Sequence, residues 1–334
     1  MGQENRSRSA QWGDAPFIFD VRAALKEGIA RLREASVPSY TLAAELLLIH
    51  TLGLHRTWLY SHPEEPLRPA VMETYFALLA RRAAGEPTQY LTGKQEFWGL
   101  EFEVTPAVLI PRPETEHLVE VALERLGPRG IKIRLDTGAP SPPLRIADMG
   151  TGSGCLAVAL AHELPHADVV ATDISAAALE VASRNAARLH VAERVHFVQT
   201  NMLDALVPNS SSKDHEGDNE GDNDGDHEAR LFDVIVSNPP YVALDDAATL
   251  AREVREHEPH AALFGGRTGT EMYGKLIEQA GALLRQRGIL VLELGYNSAD
   301  EVLKIIREAP GWVNISVTND LAGIPRVLAA ERRL

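Results

Sequence analysis

The amino-terminal part of the chain carries apolar residues at helical spacing. Residues 1–17 are polar and are predicted to be a disordered N-terminus. After them, apolar positions recur every three to four residues, which predicts three helices: Phe19–Leu32, Tyr40–Leu54 and Pro69–Ala84. Together they predict a small helical domain over residues 18–92. A module of this kind typically docks a partner or substrate, and nothing in it indicates chemistry of its own.

Beyond residue 92 the pattern changes to alternating strands and helices. Residues Gln95–Val104 alternate aromatic and polar side chains around Gly99, which predicts a hairpin, and a helix fits Glu114–Leu126. A connector rich in Pro and Gly follows at Gly127–Pro143. The strands predicted after it are Leu144–Asp148, Asp168–Thr172, Val195–Thr200, Phe232–Ser237 and Gly288–Leu294. The helices that accompany them are Gly154–Glu163, Ala176–Leu189 and Glu271–Arg285.

The order of these elements predicts an α/β fold. Repeated strand–helix units form a parallel sheet with helices on both faces. The tail adds two strands, Val313–Thr318 and Val327–Glu331, which are predicted to pair antiparallel at the sheet edge. The result is a seven-stranded Rossmann-like sheet within a second domain, residues 93–334.

An acidic segment interrupts the second domain. Residues 208–229 consist mostly of Ser, Asp, Glu, Asn and Gly, and are predicted to be a disordered insertion between two strands. The chain has a net charge of −14, and the eight acidic residues at positions 214–228 leave −6 for the rest. A mildly acidic folded part offers phosphate backbones no general attraction, so we expect no direct nucleic-acid partner.

Cysteine content and hydropathy indicate the compartment. Cys155 is the single cysteine among 334 residues, so it cannot form an internal disulfide and a reducing environment is expected. No apolar run approaches the roughly 18 residues that span a bilayer, and the first residues lack the apolar stretch of a secretory signal. These features predict a cytoplasmic protein with no membrane partner.

A glycine-rich loop follows the first strand of the predicted sheet and consists of Gly150, Thr151, Gly152, Ser153 and Gly154. Its glycines let the backbone turn tightly and let a ligand approach without interference from a Cβ. Asp173 ends the next strand, where a carboxylate can accept hydrogen bonds from both ribose hydroxyls of an adenosine. A dinucleotide fingerprint would need glycine where Cys155 stands. The loop instead resembles the first motif of class I S-adenosylmethionine-dependent methyltransferases, with a purely structural turn as the alternative.

The most specific motif follows the strand FDVIVS and consists of Asn238, Pro239, Pro240 and Tyr241. Ligands bind outside the carboxyl ends of strands in open α/β sheets, so the motif lies where a substrate is expected. The Asn238 side-chain oxygen and the Pro239 carbonyl can accept the two hydrogens of a planar NH₂ group, and proline holds both acceptors in place. The Tyr241 ring can pack on the flat face of that group. The alternative is a Pro-Pro turn with Tyr241 in the core.

Together the two motifs predict methyl transfer from S-adenosylmethionine to a planar NH₂ group. Two hydrogen-bond acceptors favour a nitrogen that becomes tetrahedral and partly positive as it attacks the methyl carbon. Because the cofactor already carries an activated methyl group, neither a metal nor a strong base is required. Alignment of donor and acceptor is the main catalytic contribution.

Further segments resemble the release factor glutamine methyltransferases; they are Pro87–Gly93, Glu96–Trp98, Leu109–Glu116, Glu258–Pro259 and Ala262–Gly266. The resemblance covers about residues 20–334. It implies a class I methyltransferase domain behind a helical domain that helps to dock the protein substrate. It also implies the reaction, methylation of the glutamine in the Gly-Gly-Gln motif of class 1 peptide chain release factors to N5-methylglutamine. A sister family that methylates a ribosomal-protein glutamine usually lacks the Arg-Pro-Glu-Thr-Glu sequence found here.

The resemblance also implies roles for individual residues. Residues 150–154 and Asp173 would hold the cofactor, and residues 238–241 would hold the glutamine amide, with Asn238 beside both. Met202 stands where the family often has a Trp along the adenine, and its thioether can cover that ring. Asn201 stands where the family tends to have Asp and can receive the adenine amino group. Two interpretations of Arg112 and Glu114 remain open: they lie over the cofactor or amide pocket, or they only begin a helix.

Three other functions compete with this interpretation. An adenine-N6 or guanine-N2 methyltransferase would share both motifs but would normally carry a basic recognition region. A nicotinamide oxidoreductase would share the glycine loop alone. A helical interaction module attached to an inactive sheet would have no need of intact Asn238 and Asp173.

Overall fold

The computed structural model describes residues 19–127, 143–207 and 231–333. The disorder predicted for residues 1–17 and 208–229 concerns residues outside these ranges, as does most of the predicted connector. The chain divides into two compact units, one ending at Thr92 and the other beginning at Gly93.

The helices described in the N-terminal unit are α1 (Val21–Glu34), α2 (Tyr40–Leu52), α3 (Arg56–Ser61), α4 (Pro69–Ala83) and α5 (Thr88–Thr92). Helix α1 begins where the Asp20 carboxylate accepts a hydrogen bond of 2.7 Å from the backbone N–H of Ala23. Apolar side chains of α1, α2 and α4 form one core. Tyr75 lies so close to α1 that a Cβ on Gly28 would come within 2.0 Å of its hydroxyl. Helices α3 and α5 were not predicted, because six and five residues are too few to display a helical period.

The strands described in the C-terminal unit are β1 (Lys94–Phe97), β2 (Leu100–Glu103), β3 (Leu144–Met149), β4 (Ala167–Asp173), β5 (Val195–Gln199), β6 (Phe232–Ser237), β7 (Leu284–Glu293), β8 (Trp312–Asn319) and β9 (Pro325–Arg332). Its described helices are α6 (Glu116–Leu126), α7 (Cys155–Glu163), α8 (Ala176–Arg188), α9 (Arg252–His257), α10 (His260–Leu263), α11 (Glu271–Leu283) and α12 (Ala299–Glu308). Two 3₁₀ turns, Pro113–Thr115 and Leu244–Thr249, complete the set. None of the described helices is long and apolar enough to cross a membrane.

Seven of these strands form one mixed sheet in the order β5-β4-β3-β6-β7-β9-β8. The first five are parallel to one another, and the tail strands β9 and β8 are antiparallel to their neighbours. The seven-stranded α/β fold expected from the sequence is thereby confirmed. Strands β1 and β2 form the separate antiparallel hairpin.

The large sheet is buried on both faces. Ile146 of β3 and Val234 of β6 belong to a core shared with α6 and α7. The next residues, Ala147 and Ile235, belong to a core shared with α11 and α12. Since successive residues of a strand point to opposite faces, apolar side chains fill both faces and leave the strand ends for polar groups.

The sequence pattern misplaces several element boundaries by one to four residues and misses several helices. Strand β7 begins at Leu284, because Leu284 pairs with Phe232 of β6, so the helix predicted to reach Arg285 ends at Leu283. Helices α9, α10 and α12 have six, four and ten residues, and none of them was predicted. Six and four residues are too few for α9 and α10 to display a helical period. Helix α12 does carry one, since Val302 and Ile306 are four residues apart and buried, so the sequence pattern should have predicted it.

Asn185 joins the hairpin to the glycine-rich loop. Its Oδ1 accepts from the backbone N–H of Glu103 at 2.7 Å, and its Nδ2 donates to the carbonyls of Glu103 and Ser153, both at 2.9 Å. We expect Asn185→Ala to lower the free energy of unfolding by about 2–4 kcal/mol, because it leaves these peptide groups without partners. Urea unfolding measures the loss.

Arg184→Ala is the matched control on the same helix. Arg184 forms an ion pair of 2.8 Å with the side chain of Glu103, but its side chain is 51% exposed. An exposed pair contributes under about 1 kcal/mol. Equal losses for the two variants would contradict the role assigned to Asn185.

Candidate active site

The predicted motifs meet at one edge of the sheet, because β3, β4 and β6 are parallel neighbours and end there together. The carboxyl ends of these three strands border a cavity of about 830 Å³, counting the part open to solvent. The residues that line it are Ala107, Val108, Leu109, Met149, Gly150, Gly152, Asp173, Ile174, Ser175, Ala178, Asn201, Met202, Asn238, Pro240, Pro259, Ala261, Ala262 and Met272.

Two glycines present bare backbone to this cavity. Gly150 and Gly152 have φ angles of +72° and +55°, in the left-handed region that glycine adopts at little cost. A Cβ built on either residue would meet no described atom within 4 Å, so both face open space. A ligand can therefore approach the loop closely, which is what the sequence motif predicts.

The other three residues of the loop do not line the cavity. The Thr151 hydroxyl donates to Asp148, and the Ser153 side chain is buried. Gly154 packs on α8, where a Cβ would lie 3.1 Å from the Cβ of Ala182. In this structure these residues shape the loop, although the sequence motif groups them with the cofactor-binding residues.

The buried Asp148 carboxyl holds the glycine-rich loop through hydrogen bonds. Its Oδ2 accepts from the Thr151 hydroxyl at 2.6 Å and from the backbone N–H of Ala157 at 3.1 Å. Its Oδ1 is buried and has no hydrogen-bond partner within the described part of the chain. Burial raises the pKa of this carboxyl to about 7.

Asp173 connects the loop to the neighbouring strand. One carboxylate oxygen accepts from the backbone N–H of Gly152 at 2.9 Å, and the other accepts from the N–H of Ser175 at 2.9 Å. A carboxylate oxygen has more than one acceptor direction, so both oxygens can accept a further hydroxyl. The carboxylate is thus held in one orientation at the cavity wall, where the ribose contact is predicted.

The wall near β5 holds the residues predicted beside the adenine. Asn201 is exposed, whereas Met202 is 6% exposed and has a φ of +55°. The carbonyl of Met202 accepts from the Thr172 hydroxyl at 2.9 Å, which fixes this unusual backbone. Ile174 lines the same cavity with 59% of its surface exposed. The sequence does carry a signal for Ile174, an apolar residue directly after a strand-ending acid.

A chain of hydrogen bonds holds Asn238. Its Nδ2 donates to the Thr115 hydroxyl at 3.1 Å, and that hydroxyl donates to Glu293 Oε2 at 2.7 Å. Glu293 Oε1 accepts from the Tyr241 hydroxyl at 3.2 Å. Thr115 belongs to the Arg-Pro-Glu-Thr-Glu sequence that carries the family resemblance, but that motif gives no role to its hydroxyl. Glu293 has one, since it is an acidic residue at the end of the otherwise apolar strand segment Ile289–Glu293.

The rest of the Asn238–Tyr241 motif is tightly packed. Pro239 is buried, and it lines neither cavity described here. A Cβ on Gly265 would lie 2.3 Å from the carbonyl oxygen of Pro240, and one on Gly295 would lie 2.9 Å from the Tyr241 ring. Glycine is required at both positions because the motif approaches these backbones so closely. The Tyr241 ring is therefore held by its contact with Gly295 and by the hydrogen bond from its hydroxyl to Glu293.

A second cavity adjoins the first and shares Asn238, Leu109 and Ala262 with it. Its empty volume is about 600 Å³, and its other lining residues are Arg112, Tyr241, Val242, Leu250, Val254 and Leu263. Asn238 therefore lies in the wall common to a cavity beside the glycine loop and a second, mostly apolar cavity. This arrangement suits a site where two ligands meet.

Arg112 faces the second cavity and forms an ion pair with Glu258, whose side chain is 1% exposed. Glu258 also accepts from the backbone N–H of Ile110 at 3.3 Å. Burial raises the pKa of the Glu258 carboxyl, and Arg112 opposes that rise. Both interpretations of the segment around Arg112 apply in part, since Arg112 lines a cavity while Pro113–Thr115 forms the turn before α6.

The two buried carboxyls give stability an unusual pH dependence. Burial raises the pKa of Glu293 from 4.5 to about 7, as it does for Asp148. Arg326 and the hydroxyls of Thr115 and Tyr241 oppose the rise at Glu293, and Glu114 adds to it. The folded state binds these protons more tightly than the unfolded state. Their stabilisation is therefore complete below about pH 4.5 and is lost as the pH rises through 7.

We expect the free energy of unfolding to fall between pH 5 and pH 8, and Glu293→Gln to remove part of that slope. A shift from 4.5 to about 7 corresponds to about 3 kcal/mol. Urea unfolding at several pH values measures the slope. Glu271→Gln is the control, because the pKa of Glu271 is lowered to about 2 and its titration ends below pH 5. Unchanged slopes in both variants would contradict the prediction.

Comparison with known proteins identifies the family. Residues 23–93 match a family model described as the PrmC N-terminal domain, and residues 141–313 match one described as a methyltransferase domain. The release factor glutamine methyltransferase of Koribacter versatilis (strain Ellin345) is 41% identical over 312 residues, which cover 93% of this chain and 98% of that protein. The protein of the same name from Moorella thermoacetica (strain ATCC 39073 / JCM 9320) is 41% identical over 313 residues, covering 94% and 99%.

A solved structure shares the fold. The hMettl16 catalytic domain, crystallised in complex with MAT2A 3′UTR hairpin 6, superposes with a TM-score of 0.50 at 16% sequence identity. The match covers 77% of this chain and 81% of that chain. Identity this low establishes the fold alone, and the family follows from the curated relatives. The chain has a methyltransferase domain of class I fold and belongs to the release factor glutamine methyltransferases.

Proposed function

We propose that this enzyme transfers a methyl group from S-adenosylmethionine to the side-chain amide nitrogen of the glutamine in the Gly-Gly-Gln motif of class 1 peptide chain release factors. The names of relatives that are 38–41% identical over 93–94% of the chain support the substrate. The observation that carries the proposal is the position of Asn238 in the wall between two adjoining cavities.

The first cavity suits the cofactor. Gly150 and Gly152 leave the space that a ligand needs, and Asp173 offers acceptors to the ribose hydroxyls. Asn201, Met202 and Ile174 line the part assigned to the adenine. When bound there, S-adenosylmethionine supplies an electrophilic methyl group on a positively charged sulfur.

The second cavity suits the glutamine side chain. Its mostly apolar walls would shield the amide from water, and Asn238 Oδ1 would accept one amide hydrogen. The Pro239 carbonyl is the proposed acceptor for the other hydrogen, although Pro239 is buried and lines neither cavity. An amide nitrogen is a poor nucleophile because its lone pair is delocalised into the carbonyl. Two acceptors would stabilise the positive charge that develops on this nitrogen during methyl transfer. The nitrogen–methyl bond would form as the sulfur–methyl bond breaks, leaving a neutral thioether, and the amide proton would then be lost to water.

The N-terminal unit is proposed to dock the release factor. It contains a helical core, and residues 23–93 match the family model described as the PrmC N-terminal domain. The net charge of −6 outside positions 214–228 favours a protein substrate over a nucleic acid.

The deciding experiment is mass spectrometry of a release factor after incubation with the enzyme and methyl-labelled S-adenosylmethionine. We expect one added methyl on the glutamine of the Gly-Gly-Gln peptide. Parallel reactions contain total RNA, DNA or ribosomal protein. Label confined to nucleic acid, or to a ribosomal-protein glutamine, would overturn the proposal.

Variants separate the two halves of the site. Asn238→Ala should lower kcat by at least about 100-fold and leave the Kd for S-adenosylmethionine within about twofold, because it removes an acceptor to the substrate. Asp173→Asn should instead raise that Kd by at least about tenfold, since the ribose loses a charged acceptor. Equilibrium titration and steady-state kinetics measure both effects. A large loss of cofactor affinity in Asn238→Ala would show that its role is misassigned.

A further inference from the structure

We infer that Thr115 and Glu293 are positioning residues, which orient the Asn238 amide so that its oxygen, and not its nitrogen, is available to the substrate amide. This inference rests on the proposed function and extends it to two residues that do not themselves touch the reacting atoms. It arises from the direction of the hydrogen bonds that join Asn238, Thr115 and Glu293.

The amide of an asparagine side chain ends in an oxygen and an NH₂ group, which are similar in size and opposite in hydrogen-bonding character. Its oxygen accepts hydrogen bonds and its nitrogen donates them, so a rotation of 180° about χ2 exchanges an acceptor for a donor. Only one orientation can accept the N–H of a substrate amide. In the other, two donors would face each other across the second cavity.

The Thr115 hydroxyl selects the orientation. A hydroxyl has a single hydrogen, and that of Thr115 is directed to Glu293 Oε2 at 2.7 Å. Toward Asn238 the Thr115 oxygen can therefore only accept, and Asn238 Nδ2 is the atom that donates to it at 3.1 Å. The amide oxygen is then left for the site.

Glu293 in turn determines the direction of the Thr115 hydroxyl. An ionised carboxylate accepts hydrogen bonds and donates none, and its second oxygen is engaged by the Tyr241 hydroxyl at 3.2 Å. Thr115 and Glu293 are 2% and 1% exposed, so water does not compete for these groups. Reversing the Asn238 amide would place two acceptors against each other in a buried environment, which is costly.

The test compares Thr115→Val with Thr115→Ser in release-factor methylation at pH 8.5, where Glu293, with a pKa of about 7, is ionised. Valine keeps the shape of threonine but lacks the hydroxyl, whereas serine keeps the hydroxyl and lacks the methyl group. We expect Thr115→Val to lower kcat/KM by at least about 20-fold, mainly through kcat. We expect Thr115→Ser to stay within about threefold of the wild type, with the Kd for S-adenosylmethionine within twofold in both variants.

A packing role for Thr115 would give the opposite order, with valine the milder change, and that result would overturn the inference. Activity equal to the wild type in Thr115→Val would overturn it too. Should Thr115→Val fail to fold in thermal unfolding, Thr115→Ala is compared with Thr115→Ser, since these differ by one oxygen atom. Alanine is expected to be at least about 20-fold less active than serine, and equal activity contradicts the inference.

The wild type separates this inference from the function on which it rests. Failure of the wild-type enzyme to methylate the release factor would refute the proposed function. Wild-type activity together with unchanged variants would refute only the positioning role.

Discussion

Two buried carboxyl groups at the ends of β3 and β7 hold the site together. Asp148 binds the loop that carries Gly150 and Gly152, while Glu293 binds the hydroxyls of Thr115 and Tyr241. A carboxyl taken out of water must be compensated by hydrogen bonds or neutralised by a proton. The groups that satisfy these two carboxyls are the same groups that shape the cavities. Burial is the main cause that raises the pKa of each carboxyl, and the hydrogen bonds to it oppose that rise.

Close backbone contact imposes a second constraint on the same edge of the sheet. The segment after Asn238 pairs with the segment around Gly265 through a bridge between Val242 and Phe264. This pairing brings the Pro240 carbonyl against Gly265, which could not carry a side chain without displacement. The sequence resemblance around Ala262–Gly266 thus has a physical explanation, because those residues pack directly against the Asn238–Tyr241 motif.

Met202 and the acidic positions 214–228 depart from the pattern of the family that the sequence resembles. Met202 takes a position often held by Trp, yet it lies at the same cavity wall with its backbone fixed by Thr172. The acidic positions 214–228 lie between β5 and β6 in sequence, outside the described residues. Neither departure alters the residues that border both cavities.

The sequence by itself determined the elements and the chemistry of the strand ends. Periods of two and of three to four residues predicted the seven sheet strands and the longer helices, because burial on a face or on both faces leaves a regular pattern. Gly150–Gly154, Asp173 and Asn238–Tyr241 were recognisable because their chemistry needs particular residues at short spacing. Thr115 and Glu258 lie in segments that carry the family resemblance, and Glu293 is an acidic residue at the end of an apolar strand segment, but the sequence did not show which groups they bind. Each contacts a partner that is distant in the sequence. Thr115, for example, is 123 residues from Asn238 and 178 residues from Glu293. Which hydroxyl faces which carboxylate depends on how β7 and the turn before α6 pack together, and packing at such separations leaves no periodic trace in the chain.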